Sequence, residues 1–378
     1  MRIRRTVIAC AAAVVTAAFV AGCGSASAGK DPAKDTAKEV ETDAVQKRLD
    51  EFVKDGAIVG GEVTIRDGDD SAQALAGVGN RETDAKYPSD AHVRVASVTK
   101  AFTSAMVLQL VSEDEVDLDA SIEEYLPGLL HGDGIDAGKI TVRHLLRHQS
   151  GLPEIGDATQ PQDPEVTFTP QQLIDMALEN PVQAEPGEKM IYTNTNYVVA
   201  GMLIEKLTGD DYGDALKERI TKPLRLKDTY LPEPGDTGLA KPHPQGYFVA
   251  DGEPKDVTEA DASGTWASGG IVSSGADLNA YFTALTEGEV VDKAQLKQMR
   301  DTVPMTGVPG VEYGLGLMRL PTECELKLWG QAGDVPGFQA MTATTADGKK
   351  SATIAINQSP SEKFGPEQLL GLLSTALC

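Results

Sequence analysis

From Ala101 the chain is apolar on nearly every helical face. Ala101, Phe102, Ala105, Met106, Val107, Leu108, Leu110 and Val111 leave little room for a solvent-facing stripe. A helix of this kind has to be enclosed by other elements. Any polar group at its start is then taken out of water, and Lys100 stands there. Ser97 lies three residues earlier, a spacing that puts both side chains on one helix face. Serine is a poor nucleophile near neutral pH without an adjacent base. A lysine held away from water favours its neutral, basic form. Ser97-Val98-Thr99-Lys100 therefore reads as a nucleophile and its base, with the free N–H groups of a helix start nearby to stabilise negative charge. A plainer reading uses the same residues: a capping serine and a lysine that snorkels to the surface.

The bare pattern is weak. A chain of this length shows roughly one Ser-x-x-Lys by chance, and a second copy exists at Ser27-Ala28-Gly29-Lys30. That copy lies in a small, charged stretch, Gly24 to about Asp43, with nothing to bury a lysine. The stretch reads as a flexible tether. Before it, Arg2, Arg4 and Arg5 precede an apolar run from Val7 to Val20, too short for a membrane span and consistent with a signal peptide over residues 1–22. The run ends Val20-Ala21-Gly22-Cys23, which is similar to a bacterial lipobox; Cys23 is the expected lipidation site. The expected location is the outer side of the bacterial cytoplasmic membrane.

Lys and Arg number 34 against 57 Asp and Glu, and the leader holds no acidic residue. No basic stripe exists, so nucleic acid is not an expected partner. Cys324 and Cys378 remain once Cys10 and Cys23 are set aside, and in an oxidising compartment a bridge tying the C-terminus to the body is the natural pairing. Two buried free thiols are the other possibility. His144 and His148 are four apart but lack the glutamate of a helical zinc hydrolase, so they read as helix and helix-end residues; no metal or cofactor is expected.

Along the chain, Val45, Leu49, Phe52 and Val53 suit an amphipathic helix. Glu62–Arg66 and Ala72–Val78 are strand-like around a turn at 67–70. Helical pieces broken by Pro and Gly follow at 121–125, 142–148, 170–178, 197–207 and 212–219, with Gly209 as a C-cap. Strand character returns at 326–329, 338–344 and 351–356, with Asp347-Gly348 as a hairpin turn, and residues 369–377 form a last apolar-faced helix. Strands at both ends with helices between predict an α+β fold, an α/β sandwich whose antiparallel sheet is built from both termini and carries an inserted, mainly helical lobe. The sandwich part takes about 44–112 and 262–378, the helical lobe about 113–261, and a cleft between them is the default pocket.

Tyr192-Thr193-Asn194 precedes a helix, where a phenol can shuttle a proton and an amide can hold a substrate amide. A buried tyrosine beside an Asn/Thr helix start is the plainer reading. Taken together, Ser97-x-x-Lys100, Tyr192-x-Asn194 and the glycine-bearing strand Gly330-Gln331-Ala332-Gly333-Asp334 fall in the order of penicillin-recognising serine hydrolases. The Tyr-x-Asn version resembles the class C beta-lactamase-like family, which includes secreted D-alanyl-D-alanine carboxypeptidases. TVRHLLRHQSGLPE from Thr141, PGEKMIYTNTNYVVAGMLIEKLTG from Pro186, ASGGIVSSGADL from Ala267 and GQAGDVPGF from Gly330 are similar too, so the resemblance covers about 45–378. The placement of Cys324 and Cys378 also looks like the carboxypeptidase branch.

The resemblance implies a beta-lactamase/transpeptidase-like fold and a set of roles. Ser97 is acylated, Lys100 takes its proton, Tyr192 relays that proton to the leaving nitrogen and later activates water, and Asn194 holds the substrate's acyl amide. The N–H groups of Ser97 and Asp334 form the oxyanion hole, and Gln331, Gly333 and Asp334 border the substrate. One departure matters. The family has Lys or His, then Thr, Ser or Gly, then Gly on this strand, where the chain has Gln331, Ala332 and Gly333. Glutamine carries no charge, so a weaker grip on a terminal carboxylate is expected, unless Arg319 restores it. The implied activity is a D-alanyl-D-alanine carboxypeptidase on peptidoglycan stem peptide, acylated by beta-lactams. An esterase or D-amino-acid amidase for less anionic acyl substrates comes next, and a noncatalytic cell-wall binder third. No Gly-x-Ser-x-Gly elbow occurs.

Overall fold

The computed structural model describes residues 40–156, 166–250 and 253–378. The leader, Cys23 and the Ser27 copy of the motif lie outside the described residues. Five helices matter for the site: α1 (Asp43–Lys54), α2 (Thr99–Ser112), α3 (Thr195–Thr208), α4 (Gly275–Glu287) and α5 (Pro366–Leu377). Nine strands make one sheet: β1 (Gly60–Asp67), β2 (Asp70–Asn80), β3 (Ala85–Lys86), β4 (Val303–Pro304), β5 (Glu312–Tyr313), β6 (Met318–Leu320), β7 (Leu328–Val335), β8 (Phe338–Thr345) and β9 (Lys350–Ile356). Their spatial order is β3-β2-β1-β9-β8-β7-β6-β5-β4. Every neighbouring pair is antiparallel, and all but one are consecutive in the chain. The exception sets the first long strand against the last, with Gly61 opposite Ile356 and Asp67 opposite Lys350.

Side chains alternate across this sheet. Val63, Ile65, Met341, Ala343 and Ile354 point to the face covered by α1 and α5. The other face, under α4, carries Thr64, Thr342 and Thr353. Thr353 donates to Asn279 Oδ1 at 2.9 Å, and Asn279 Nδ2 donates to the Thr64 carbonyl at 2.9 Å. This polar layer is buried yet hydrogen-bonded, as buried polar groups must be. Beyond α4 lies the helical lobe, with α2 at its centre. Eleven of the fourteen α2 residues are buried. Phe102 stacks on Tyr281 of α4 at 3.8 Å between ring centroids, and the Tyr281 hydroxyl donates to the Ala101 carbonyl at 2.9 Å.

The helices Ile122–Tyr125, Val142–Leu146, Pro170–Leu178 and Tyr212–Leu216 fall where the broken periodicity predicted them. Gly209 ends α3 at φ +75°, a conformation glycine adopts without strain. Two features differ from the sequence reading. The hairpin of Tyr247–Ala250 with Glu253–Asp256 lies inside the stretch read as helical, and the edge strands β4 and β5 are two residues long, too short for alternation to show. The strand expected at 326–329 begins at Leu328 and runs on to Val335; Gly330 and Gly333 lower its apparent strand propensity.

Cys324 and Cys378 are bonded, with Cα atoms 5.8 Å apart and a sequence separation of 54. The bridge ties the end of α5 to the β6–β7 connection. Closing a loop of that size is worth about 4 kcal/mol. A Cys324→Ser/Cys378→Ser variant should therefore unfold at a lower urea concentration with a similar m-value; an unchanged midpoint would contradict this.

Candidate active site

Ser97 sits in a single 3₁₀ turn, Ala96–Val98, that runs directly into α2. Such a turn eclipses positions i and i+3, so Ser97 and Lys100 share a face although Ser97 precedes the α-helix. Ala96 enters the turn at φ +50°, a left-handed conformation that costs about 1–2 kcal/mol for a residue with a Cβ. Strand β7 holds the turn from below. A Cβ on Gly333 would lie 2.3 Å from the Val95 carbonyl oxygen and 2.6 Å from Ser97 N. Only a glycine allows the strand to approach the nucleophile's N–H this closely.

Lys100 is fully buried and has three partners: Ser97 Oγ at 2.9 Å, Asn194 Oδ1 at 2.7 Å and the Ser268 carbonyl at 2.7 Å. Burial lowers its amine from 10.5 to about 7, against the opposing field of Glu154. The partners fit the neutral form. A neutral amine has two N–H groups and one lone pair. Two of its partners are carbonyl oxygens, which only accept, and the third is a hydroxyl, which can donate. In its neutral form the amine donates to Asn194 and Ser268 and receives the Ser97 hydrogen; as an ammonium it donates to all three.

Tyr192 lies with its ring centroid 4.8 Å from Lys100 Nζ, and its hydroxyl hydrogen-bonds with Ser97. Burial raises the phenol above its ordinary value; the hydrogen bond with Ser97 opposes that rise. The phenol is a proton donor at neutral pH. Asn194 precedes α3; its Oδ1 is engaged by Lys100, and its Nδ2 donates to Glu154 Oε2 at 3.5 Å, leaving its second hydrogen for the cleft.

Beneath Tyr192 is a residue whose role the sequence did not reveal. His148 is fully buried, at φ +57°, and stacks on the Tyr192 ring with centroids 4.2 Å apart. Its Nδ1 accepts the Thr193 N–H at 3.2 Å, so Nε2 carries the hydrogen and donates to the Tyr313 hydroxyl at 3.2 Å. Burial, then the neighbouring Lys100, hold the imidazole well below its ordinary value. Tyr197 and Tyr313 complete the cage, their centroids 5.2 and 4.9 Å from the imidazole. The stretch His148-Gln149-Ser150-Gly151 was the available signal, but a histidine at a helix end reveals nothing of what it stacks on.

Gln331 corrects an expectation. It does not reach the cleft to meet substrate. It is fully buried, and its Nε2 donates to the Gly316 carbonyl at 3.0 Å and the Tyr313 hydroxyl at 3.3 Å. Alternation along β7 turns Gln331 toward Tyr313 and Ala332 to the opposite side. Arg319 supplies no replacement charge; it is paired with Glu312 and lines neither chamber described next. Among the described residues no group of three or more His, Cys, Asp or Glu could hold a metal ion.

Two chambers of about 360 Å³ each meet at Ser97, Asn194 and Asp334. One is walled by Met305, Val311, Met318, Leu320, Met341 and Leu369. The other is bordered by Phe248, Thr265, Ser359 and Pro360. Among the described residues Asp334 is the one charged side chain lining either chamber.

The family model described as Beta-lactamase matches residues 45–376, and the chain belongs to that family. A D-stereospecific amidohydrolase from Streptomyces sp. superposes with a TM-score of 0.81 at 33% identity, over 89% of this chain and 99% of that one. The D-alanyl-D-alanine-carboxypeptidase/endopeptidase AmpH of Escherichia coli (strain K12) is 24% identical over 345 residues, 87% of each chain. Penicillin-binding protein 4* of Bacillus subtilis (strain 168) is 24% identical over 283 residues, 71% of this chain; the chain spans 61% of that relative's length.

Lys100 accepts a proton only when unprotonated, so labelling of Ser97 by a fluorophosphonate should accelerate as pH rises through about 7 and then level off. Lys100→Met should lower the labelling rate about 10²-fold or more. A pH-independent rate, or one that falls across this range, would remove Lys100 as the base.

Proposed function

We propose that the protein is an acyl-enzyme serine hydrolase cleaving amides of D-configured acyl groups that bear a bulky apolar side chain and no free carboxylate. One observation carries this reading: among the described residues, the lining of the cleft offers an apolar chamber and a carboxylate, and no cation. A terminal carboxylate entering here would meet Asp334 and find no charge-assisted donor, the stronger kind of hydrogen bond. D-configuration is supported by the likeness to the D-stereospecific amidohydrolase.

Ser97 Oγ attacks the substrate carbonyl carbon, and its proton passes to the Lys100 amine. The N–H groups of Ser97 and Asp334 receive the developing oxyanion. The carbon–nitrogen bond then breaks; the leaving nitrogen takes the Tyr192 proton, and the phenol is reprotonated from Lys100. Water attacks the ester, its proton passing to the Tyr192 oxygen as the phenol hydrogen passes to the neutral Lys100 amine; the carbon–oxygen bond to Ser97 then breaks, and Ser97 takes that proton back from Lys100 as the acid departs. Asn194 Nδ2 holds the acyl portion. Gly333 supports the oxyanion assignment by leaving Ser97 N uncovered.

The likeness to AmpH favours a second reading, a D-alanyl-D-alanine carboxypeptidase on cell-wall peptide that beta-lactams acylate. The two separate cleanly. D-phenylalaninamide should be turned over with kcat/KM at least tenfold (~1.4 kcal/mol) above a D-alanyl-D-alanine peptide, and Ser97→Ala should abolish both. The reverse ranking would establish the carboxypeptidase. The enzyme is further placed on the outer membrane face through a lipid on Cys23, a reading supported by Val20-Ala21-Gly22-Cys23. Metabolic labelling with an alkyne fatty acid should mark the chain and fail on Cys23→Ala; equal labelling of both would count against the anchor.

A further inference from the structure

Resting on the amidase reading, we propose that Asp334 is the recognition group for a cationic nitrogen on the substrate, the α-ammonium of a free D-aminoacyl amide. The enzyme would then act on unblocked amino ends and discriminate against N-acylated ones.

Asp334 is exposed at the junction of the two chambers, next to Ser97. Its carboxylate is braced. Ser359 Oγ donates to Oδ1, and Gln339 Nε2 donates to Oδ2 at 3.0 Å. A carboxylate accepts about four hydrogen bonds, so each oxygen keeps a free direction. No cation neutralises it; the groups acting on it are Ser359 and Gln339 alone. Beside it the Gln339 side-chain carbonyl, in a residue 5% exposed, has no hydrogen-bond partner among the described residues. The cleft therefore presents a fixed negative group to a ligand with several N–H donors. The other carboxylate nearby is turned inward. Glu154 accepts the Ile155 N–H at 2.8 Å and the Asn194 N–H at 3.0 Å, and it lines neither chamber.

Substrate geometry completes the case. With the scissile carbonyl over Ser97, the adjacent α-carbon carries two diverging groups. The side chain suits the chamber walled by Met318, Leu320 and Met341, and the nitrogen then falls on the Asp334 side. An ammonium there forms a charge-assisted hydrogen bond, roughly twice as strong as the neutral one an acylated nitrogen could make.

The test compares D-phenylalaninamide with N-acetyl-D-phenylalaninamide, following ammonia release by the full chain. The wild-type protein should favour the free amine at least tenfold in kcat/KM. Asp334→Asn should bring that ratio close to one, Asp334→Glu should keep part of it, and Glu154→Gln should leave it in place. A ratio unmoved by Asp334→Asn, or erased by Glu154→Gln, overturns the proposal. Binding of both amides to Ser97→Ala and to Ser97→Ala/Asp334→Asn by calorimetry gives an answer without turnover: a preference for the free amine lost in the double variant supports the subsite, and equal binding of the two amides to Ser97→Ala refutes it. If neither amide is hydrolysed while the binding preference is present, the amidase reading fails and the subsite stands.

Discussion

The site depends on dryness around Lys100. The same desolvation acts in opposite directions on the two groups that flank Ser97. It pulls the lysine amine down to about 7 and pushes the Tyr192 phenol up. Above about pH 7 the resting pair is therefore amine and phenol rather than ammonium and phenolate. That assignment puts a basic lone pair on one side of Ser97 and a donor on the other, which is the polarity acyl transfer needs. No single side chain creates it. It follows from enclosing α2 on every face, so helix packing in the lobe and acid–base chemistry in the cleft share one physical cause.

The resemblance sets a Lys or His on the third strand, where this chain carries the uncharged Gln331. The protein substitutes an uncharged aromatic cage. Gln331 braces Tyr313, Tyr313 meets His148, and His148 lies flat against Tyr192. Each member is neutral: burial keeps the imidazole from protonating, and Gln331 cannot. When Lys100 gains the Ser97 proton, its new charge is met by the faces of Tyr192 and Tyr197, with Nζ 4.8 and 5.5 Å from their centroids, and by the field of Glu154. Cation–π contacts of this kind are worth about 2 kcal/mol when desolvated. The cage thus stabilises the charge that appears during reaction without supplying a permanent cation that would attract carboxylates.

How much of this was legible in the sequence follows from the range of the signals. The α2 helix announced itself because eleven of its fourteen residues are buried, and Pro170–Leu178 because proline marks its start and the apolar spacing is regular. Ser97, Lys100, Tyr192 and Asn194 could be picked out by order and context, and the structure brings all four within one cluster. What stayed hidden was direction. The left-handed turn at Ala96 has no sequence mark, since alanine is not a residue that favours it. Gln331 was read as bordering substrate because the resemblance implies it at that position of the third strand; in the structure it is buried against Tyr313 and the Gly316 carbonyl. His148 and Tyr313 meet across 165 residues, a distance no local pattern spans.

The pairing of β1 with β9 has a consequence for how the cleft comes into being. It raises the contact order of the chain: the two strands are separated by nearly the whole domain, and such closures are slow because loop entropy is lost before any contact compensates it. Strand β7, whose glycine seats the nucleophile's turn, belongs to the late-synthesised half. A nascent polypeptide still on the ribosome therefore carries its reactive serine without the floor that shapes it, and hydrolytic competence arises only after translation has delivered the final hairpin.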